Sequence, residues 1–324
     1  MIFIFGSINL FSADWLFIMK PKDINYYFAL SSVDSSAFLL ANDDKNITIY
    51  HSKDDGLSWP IIYTIPSAQI INYNTNAVDF TDENTLFFPI EMNNQINRLT
   101  LNPFSWLASR INSELTIENI KMIDYERGIA GNSNQIFITK DSWENYNTIK
   151  VNNLQCLWYD DNESITYVSS SPQAVFHKSL DKGQSWETVK IGDFAVTKLY
   201  FIDNNTGIVI GNIVDTNSSP FVYKDIIYRT SDGGKSWKEV LNSTRNERSE
   251  LNDIVFSDTK LGIATGTSNS VYTTNDGGLS WQKQTLIQSI NSPPRITHCG
   301  FTKSKFIISV DNLGLYFIDF KKVK

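Results

Sequence analysis

Short runs rich in β-branched and aromatic residues recur along the chain, separated by Asp, Asn, Gly or Ser. Residues 252–281, NDIVFSDTKLGIATGTSNSVYTTNDGGLSW, divide into four such runs: DIVF, GIATG, SVYTT and the segment that begins with SW. Apolar runs of this length between turn residues are typical of β-strands. No helical periodicity of useful length interrupts them. The pattern therefore predicts an all-β protein.

One eight-residue motif marks the end of the third run in each unit. It reads TNDGGLSW at 274–281, with close copies at 230–237, 179–186 and 52–59. We interpret TLNPFSW (100–106) and TKDSW (139–143) as decayed copies, the second with its glycine portion deleted. Counting also Trp15, the intervals between the tryptophans are 44, 47, 37, 43, 51 and 44 residues. A period of a little over forty residues is typical of the four-stranded blades of a β-propeller.

The two ends of the chain each supply part of one blade. Three strand-like runs, ITHCGF, FIISV and LGLYFID, follow Trp281, while DWLFIM near the N-terminus resembles a fourth strand with nothing before it. Pairing 14–19 with 313–319 would remove two open sheet edges. We therefore predict a single domain, residues 14–324, that forms a seven-bladed β-propeller of four-stranded antiparallel blades, with the N-terminal strand completing the last blade.

The residues of the motif have predicted structural roles. The Asp can accept hydrogen bonds from backbone amides of the turn, the Gly can adopt a positive φ, and the Trp can bury its ring while its indole N–H finds an acceptor. The motif is therefore predicted to be a building part, carried by Asp54, Gly56, Trp59, Asp141, Trp143, Asp181, Gly183, Trp186, Asp232, Gly234, Trp237, Asp276, Gly278 and Trp281.

The motif resembles the Asp-box, or BNR repeat, of sialidases, sortilin-type receptors, some endoglucanases and the photosystem II assembly and stability factors. The longer pattern, from Asp258 through Gly262, Ile263, Ala264 and Gly266 to the motif at 274–281, is most similar to the last family and its non-photosynthetic bacterial relatives. The resemblance covers nearly the whole chain. It implies a propeller that holds a protein partner, with the binding surface on the face opposite the motifs.

Composition excludes several other classes. The net charge of -7 argues against a general nucleic-acid binder, which needs a basic face. The two cysteines and three histidines lack metal-ligand spacing, so neither a metal nor a cofactor is predicted. No apolar run is long enough for a membrane-spanning helix. Residues 1–13 are interpreted as a signal-peptide remnant or an edge strand, and an extracytoplasmic location (periplasm, cell envelope or secreted) is expected.

The candidate binding residues are Arg110, Arg245, Arg248, Arg295 and His298, which belong to connections expected on the face opposite the motifs. Arginines from several blades could hold a carboxylate, as in a sialidase, but the Arg-Ile-Pro motif is missing. For residues 243–250, STRNERSE, a partner contact and a hydrated loop with its own Arg–Glu pairs are both open. For an endoglucanase, Asp43, Glu91 and Glu118 have no motif context.

We therefore predict no catalytic residues and a binding or assembly scaffold of the bacterial envelope with a protein partner. The alternative is a secreted glycan-active or glycan-binding propeller of the sialidase or endoglucanase type. Cys156 and Cys299 are interpreted as buried apolar residues. Trp158, aligned with Phe201 and Phe256, is interpreted as packing between blades.

Overall fold

The structure is a computed structural model. It describes residues 15–19, 26–33, 36–42, 45–66, 78–82, 85–90, 95–102, 105–112, 117–170, 173–245, 247–284, 295–311 and 313–323. The segment 1–13, interpreted above as a signal-peptide remnant or edge strand, lies outside these residues.

The described strands form seven sheets of four strands each, numbered here in chain order. Sheet 1 contains β2 (Tyr26–Val33), β3 (Ser36–Asn42), β4 (Asn46–Ser52) and β5 (Ile61–Pro66). Sheet 2 contains β6 (Asp79–Asp82), β7 (Thr85–Ile90), β8 (Gln95–Asn102) and β9 (Ser105–Asn112). Sheet 3 contains β10 (Asn119–Met122), β11 (Gly128–Asn132), β12 (Gln135–Thr139) and β13 (Asn147–Lys150). Sheets 4 and 5 contain β14 (Leu154–Tyr159), β15 (Ile165–Ser170), β16 (Ala174–Ser179) and β17 (Glu187–Gly192); and β18 (Ala195–Phe201), β19 (Gly207–Asp215), β20 (Val222–Thr230) and β21 (Lys238–Arg245). Sheet 6 contains β22 (Leu251–Phe256), β23 (Gly262–Gly266), β24 (Ser270–Thr274) and β25 (Gln282–Lys283), and sheet 7 contains β26 (Ile296–Phe301), β27 (Lys305–Val310), β28 (Gly314–Asp319) and β1 (Leu16–Met19).

The fold is an all-β propeller with four-stranded antiparallel blades, as the sequence predicts. In sheets 1 to 6 the strands pair in chain order, so each sheet is a meander. Sheet 7 has the order β1-β28-β27-β26, and Leu16 lies opposite Phe317. The strand pairing expected for the two ends of the chain is therefore present.

The hydrophobic core lies between neighbouring sheets. Each sheet contacts the next in chain order, and β26 and β27 of sheet 7 also contact β2 of sheet 1. The middle strands are covered on both sides, as in β23, where every residue is buried. One core cluster joins Leu39 of sheet 1 to Ile307 and Leu315 of sheet 7.

The interpretation of residues 139–143 as a shortened motif is wrong. Nothing is deleted: Trp143 takes the glycine position, with φ of 70°, and its N–H donates to Thr139 Oγ1 at 2.9 Å. Asn145 takes the serine position and donates to Asp141 from both its backbone and its side chain. Tyr146, three residues beyond Trp143, takes the tryptophan position and packs edge-on against Phe137. Asp141 accepts hydrogen bonds within this turn, whereas Trp143 occupies the glycine position and not the tryptophan position.

Trp158 also lies one register step from its predicted place. Strand pairing puts Trp158 opposite Thr166, and Tyr200 and Val255 hold the same place in the next two sheets. The residue level with Phe201 and Phe256 is Tyr159, not Trp158. Because side chains alternate between faces along a strand, one step of shift turns the indole toward the centre of the propeller. It still packs against the core between sheets 4 and 5.

Within the residues that the structure describes, no helix is long and apolar enough to cross a membrane.

Candidate functional site: the central cavity and the end opposite the box turns

The four full motifs form one kind of turn, called here the box turn (52–59, 179–186, 230–237 and 274–281). In the turn at 230–237, Asp232 accepts hydrogen bonds from Thr230 Oγ1 at 2.7 Å, Ser236 N at 2.9 Å and Ser236 Oγ at 2.5 Å. Gly234 has φ of 97°, and Trp237 Nε1 donates to Gly234 O at 3.2 Å. Equivalent carboxylate bonds occur at Asp54, Asp181 and Asp276. The carboxylates are therefore engaged within their own turns.

The predicted indole acceptor is present in two box turns and missing in one. Trp59 Nε1 donates to Gly56 O at 3.1 Å, as Trp237 does in its own turn. The buried Nε1 of Trp281 has no acceptor among the described residues. Ring packing, more than this hydrogen bond, is thus the shared role of the tryptophans.

Box turns also join neighbouring sheets. Arg229 of sheet 5 donates to Gly277 O in the turn of sheet 6 at 2.8 Å, and Lys178 of sheet 4 donates to Gly233 O in the turn of sheet 5 at 3.3 Å. In the turn of sheet 1, Asp55 binds Lys305 Nζ of sheet 7 at 2.6 Å. The turns therefore also connect neighbouring sheets, a role that the sequence did not predict.

Acid is expected to destabilise the fold in two steps. Burial lowers the pKa of His51 and His298 to about 4, so from pH 6.5 down to about 4 the unfolded chain binds more protons than the folded one, and stability falls. The hydrogen bonds from Ser185 lower the pKa of Asp181 to about 2, so its contribution is lost between pH 3.8 and 2. Melting temperatures measured from pH 7.5 to 2.5 would reveal both steps. The H298N variant should weaken only the first, and a constant melting temperature from pH 6.5 to 4.5 would contradict the assignment.

A central cavity of about 270 Å³ is lined by the innermost strands of all seven sheets. Its walls include Asp79, Lys121, Trp158, Lys198 and Tyr200, together with Asp253, His298 and Cys299. These innermost strands run side by side toward the box turns. Their cavity-lining side chains therefore lie at two levels along the propeller axis. Asn119, Lys198, Asp253 and His298 lie farther from the box turns, and Lys121, Trp158, Tyr200 and Val255 lie nearer to them.

Two ion pairs between neighbouring sheets cross the cavity wall. Lys121 Nζ lies 3.1 Å from Asp79 Oδ2, which also accepts Met122 N at 2.6 Å. Lys198 pairs with Asp253, whose other oxygen accepts Cys299 N at 2.9 Å. Burial alone would lower the pKa of Lys198, but the Asp253 carboxylate outweighs it and raises that pKa. The cavity wall therefore carries charged side chains, but the charge of each lysine is balanced by the aspartate with which it pairs.

The two cysteines beside this wall are buried and unpaired with each other, as predicted. Burial raises the pKa of the Cys156 thiol to about 12 and that of Cys299 well above its usual value. Both thiols are thus protonated at neutral pH and poor nucleophiles.

Of the predicted binding residues, the structure brings only His298 to the cavity; no arginine is among its described lining residues. Arg110 lies in the outer strand β9, opposite Asn97. Arg245 donates to Ser268 O, and Arg248 pairs with Glu250 at 3.1 Å, as the hydrated-loop interpretation expects. Arg295 Nε lies 3.8 Å from Asp311. The carboxylate candidate Glu118 is partly buried before β10, and Asp43 and Glu91 lie outside the described residues.

A buried carboxylate between sheets 5 and 6 was missed by sequence reasoning. Asp225 is fully buried and accepts hydrogen bonds from Ser249 Oγ at 2.6 Å, Ser270 Oγ at 2.8 Å and Tyr272 Oη at 2.8 Å. The Arg245 guanidinium lies 3.9 Å away. Burial, followed by the Asp225 charge, raises the pKa of Tyr272 to about 12. This group joins two sheets and explains why Arg245 is not free to bind a ligand.

Among the described strands, those of sheet 5 extend farthest at the end opposite the box turns. In sheet 6 the second and third strands end at the pair Gly266–Ser270, whereas in sheet 5 pairing continues past the equivalent Gly211–Ile226 to Asp215–Val222. Four further pairs at about 3.3 Å per residue extend it by roughly 13 Å. Near its tip, Val214 and Phe221 are 41% and 50% exposed. We call this extension, residues 212–225, the projecting hairpin.

Comparison with solved structures supports the propeller fold. No protein-family model matches the sequence, and no curated protein matches it. The solved structure of YCF48 bound to a D1 peptide is 16% identical, with a TM-score of 0.64 over 95% of this chain and 97% of that one. YCF48 from Cyanidioschyzon merolae is 12% identical, with a TM-score of 0.64 over 96% and 100% of the two chains. A GH74 enzyme from Niastella koreensis is 12% identical, with a TM-score of 0.51 over 90% of this chain and 65% of that one. Similarity at these identities shows the propeller fold and not the function.

Proposed function

We propose that this protein is a non-catalytic binding scaffold of the bacterial envelope that holds a protein partner at the end opposite the box turns. The scaffold is a closed ring of seven blades built on Asp-box repeats. Three observations support the ring: neighbouring sheets contact each other in order, sheet 7 contacts sheet 1, and innermost strands of all seven sheets line one cavity.

The projecting hairpin is the observation that carries the proposal. It extends past the end of its blade and carries two exposed apolar side chains, Val214 and Phe221. A paired hairpin is also rigid enough to present these two side chains without a large loss of entropy on binding. A propeller of similar fold, YCF48, has been solved bound to a D1 peptide. By analogy, the expected partner is a protein segment that packs against Val214 and Phe221.

The cavity carboxylates fit a scaffold better than a glycoside hydrolase. Asp79 and Asp253 are each held by a lysine and by a backbone N–H group. Both carboxylates are thus occupied by partners within the wall, whereas a glycoside hydrolase needs a pair of carboxyl groups that reach the substrate. The arrangement thus favours binding over hydrolysis.

The test compares two pairs of exposed apolar side chains. The double variant V214S/F221S should lose a partner captured from the source cells by the tagged wild-type protein, with affinity reduced tenfold or more, because apolar anchors dominate such interfaces. The single variant L180S is the control, since Leu180 is 74% exposed in a box turn at the opposite end. Capture that is lost only in the tip variant supports the proposal. Equal capture by all three proteins, or glycan-array binding with no protein captured, would overturn it.

A further inference from the structure

The projecting hairpin has two long edges, and the described strands cover only one of them. On the outer edge, β21 pairs with β20 as far as Tyr223, which lies opposite Arg245. On the inner edge, which faces the propeller axis, pairing with β18 stops at Ala195 and Asn212. Residues 213–215 of β19, which span about 10 Å, therefore have no partner strand on this side among the described residues.

Of sheets 5 to 7, only sheet 5 leaves its second strand uncovered in this way. In sheets 6 and 7, the innermost strand pairs with the second strand up to its last residue, Gly266 in one and Val310 in the other. An uncovered strand edge is a place where another chain can pair, and proteins usually keep such edges short or covered. The open edge of the projecting hairpin is therefore a candidate position for an added strand.

Hydrogen-bond direction identifies Val214 as the residue that offers its backbone to this edge. The carbonyl oxygen of Ile210 accepts a hydrogen bond from Thr197 Oγ1 of β18 at 3.2 Å, so this carbonyl points to the inner edge. Every second residue of a strand directs its N–H and C=O groups to the same edge, and β19 pairs with β20 without a bulge. The N–H and C=O groups of Val214 therefore also point to the inner edge, at a level that β18 does not reach.

The side chains beside this edge favour an apolar residue in the added strand. Val214 lies opposite Tyr223, so both side chains lie on one face of the hairpin. Asp225, two residues after Tyr223, shares that face and binds hydroxyl groups of sheet 6, so the face points toward sheet 6. The second and third strands of sheet 6 end at the pair Gly266–Ser270 and leave Val214 41% exposed. A strand added at the inner edge would place one side chain directly beside that of Val214.

We propose that the protein partner binds as an extended strand that pairs with β19 at the inner edge of the projecting hairpin, antiparallel to β19 as β18 is. One residue of this strand donates its N–H to Val214 O and accepts the N–H of Val214, and its apolar side chain packs beside Val214. The inference rests on the proposed scaffold function and adds to it the conformation of the bound segment. A helix or a folded domain would contact the side chains of Val214 and Phe221 without pairing with the backbone.

The probes are short linear peptides selected from a phage-displayed library on the wild-type protein. Counter-selection on the V214S/F221S variant removes the peptides that bind elsewhere. The variants V214P and V214A then separate the backbone of Val214 from its side chain. V214P keeps an apolar side chain but removes the N–H group, whereas V214A keeps the N–H group and removes most of the side chain. Proline is tolerated at a strand edge where the N–H faces solvent, and melting temperatures check that both variants fold.

We expect V214P to bind the selected peptides about tenfold more weakly than V214A does. The reason is that the added strand loses one hydrogen bond and its own carbonyl group is left unpaired.

Two further measurements do not depend on the proline variant. Peptide binding should slow hydrogen exchange of the Val214 amide about tenfold or more, because this N–H becomes a donor in a strand pair. Methylation of the one peptide N–H that donates to Val214 O should weaken binding about tenfold. Methylation of the peptide amides on either side is the matched control and should have little effect, because those N–H groups point away from β19.

Some results would overturn this inference and leave the scaffold function standing. One is a partner or peptide whose binding depends on Val214 and Phe221 but leaves exchange of the Val214 amide unchanged. Another is equal binding by folded V214P and V214A, and a third is a selection that yields no peptide dependent on the two side chains. A dimer of the protein alone that V214S/F221S breaks would assign the edge to a second copy and would also overturn it. Partner capture unchanged in V214S/F221S, in contrast, would overturn the scaffold proposal itself.

Discussion

Replacing Asp225 with alanine is expected to lower the free energy of unfolding by about 3–5 kcal/mol, the cost of breaking a buried ion pair by removing one partner. The substitution leaves the Arg245 guanidinium, which is 10% exposed, without its carboxylate. It also removes the acceptor of three hydroxyl groups, those of Ser249, Ser270 and Tyr272. Since these groups come from sheets 5 and 6, the contact between the two sheets should weaken most.

Urea denaturation followed by tryptophan fluorescence measures this effect. The D225N variant keeps oxygen and shape but loses the charge, so it should fall between wild type and D225A. The control is D193A, because Asp193 is exposed and pairs only with Lys190 at the surface; a change of less than about 1 kcal/mol is expected there. A D225A protein as stable as D193A would show that the buried group contributes nothing.

Alanine at Gly234 is expected to cost about 2–5 kcal/mol, whereas alanine at its neighbour Gly233 should cost about 1–2 kcal/mol. Both glycines have a positive φ, 97° and 72°, so both variants carry the left-handed backbone penalty. A Cβ on Gly234 would lie 2.2 Å from the ring of Phe176 in sheet 4, but a Cβ on Gly233 would meet nothing closer than 3.3 Å. The buried Phe176 ring cannot move easily, because it also packs against Trp237.

The difference in unfolding free energy between G234A and G233A measures the cost of the clash with sheet 4, because both variants share the backbone strain. Thermal melts and urea curves on both proteins give it directly. If the two substitutions cost the same, the glycine of the box turn would be needed only for its φ and not for the close approach of sheet 4. A smaller side chain at position 176, in F176L, should recover part of the loss in G234A.

Local signals in the sequence predicted most of the fold. The box turns combine residues whose turn chemistry acts within eight positions, so their geometry at Asp54, Asp181, Asp232 and Asp276 follows from the motif alone. The pairing of β1 with β28 followed from counting strands at the two ends. The first inference depends on contacts between residues close in sequence, and the second depends on the repetition of four strands in each unit.

The wrong predictions concern residues whose role depends on their exact register in a strand or turn and not on their residue type. In sheet 3 a tryptophan occupies the glycine position, so alignment on the tryptophans displaced the motif by three residues. The signal that could have corrected it is the spacing, because the intervals from Trp106 to Tyr146 and from Tyr146 to Trp186 are 40 residues each. For Trp158, one step of register changed a core residue into a cavity residue. Asp225 belongs to the projecting hairpin, for which the repeat offers no template, and its hydroxyl donors come from segments 24 to 47 residues away.

The placement of β1 has a consequence for biosynthesis. The ribosome synthesises this strand long before its partner β28, so Leu16–Met19 waits for Gly314–Asp319 before the pair can form. During that interval, Leu16 and Phe17 belong to an apolar segment with no partner strand, which is the kind of intermediate that chaperones protect from aggregation. This sheet therefore forms only after β28 has been synthesised, and its rate of formation depends on a contact between segments that are far apart in sequence.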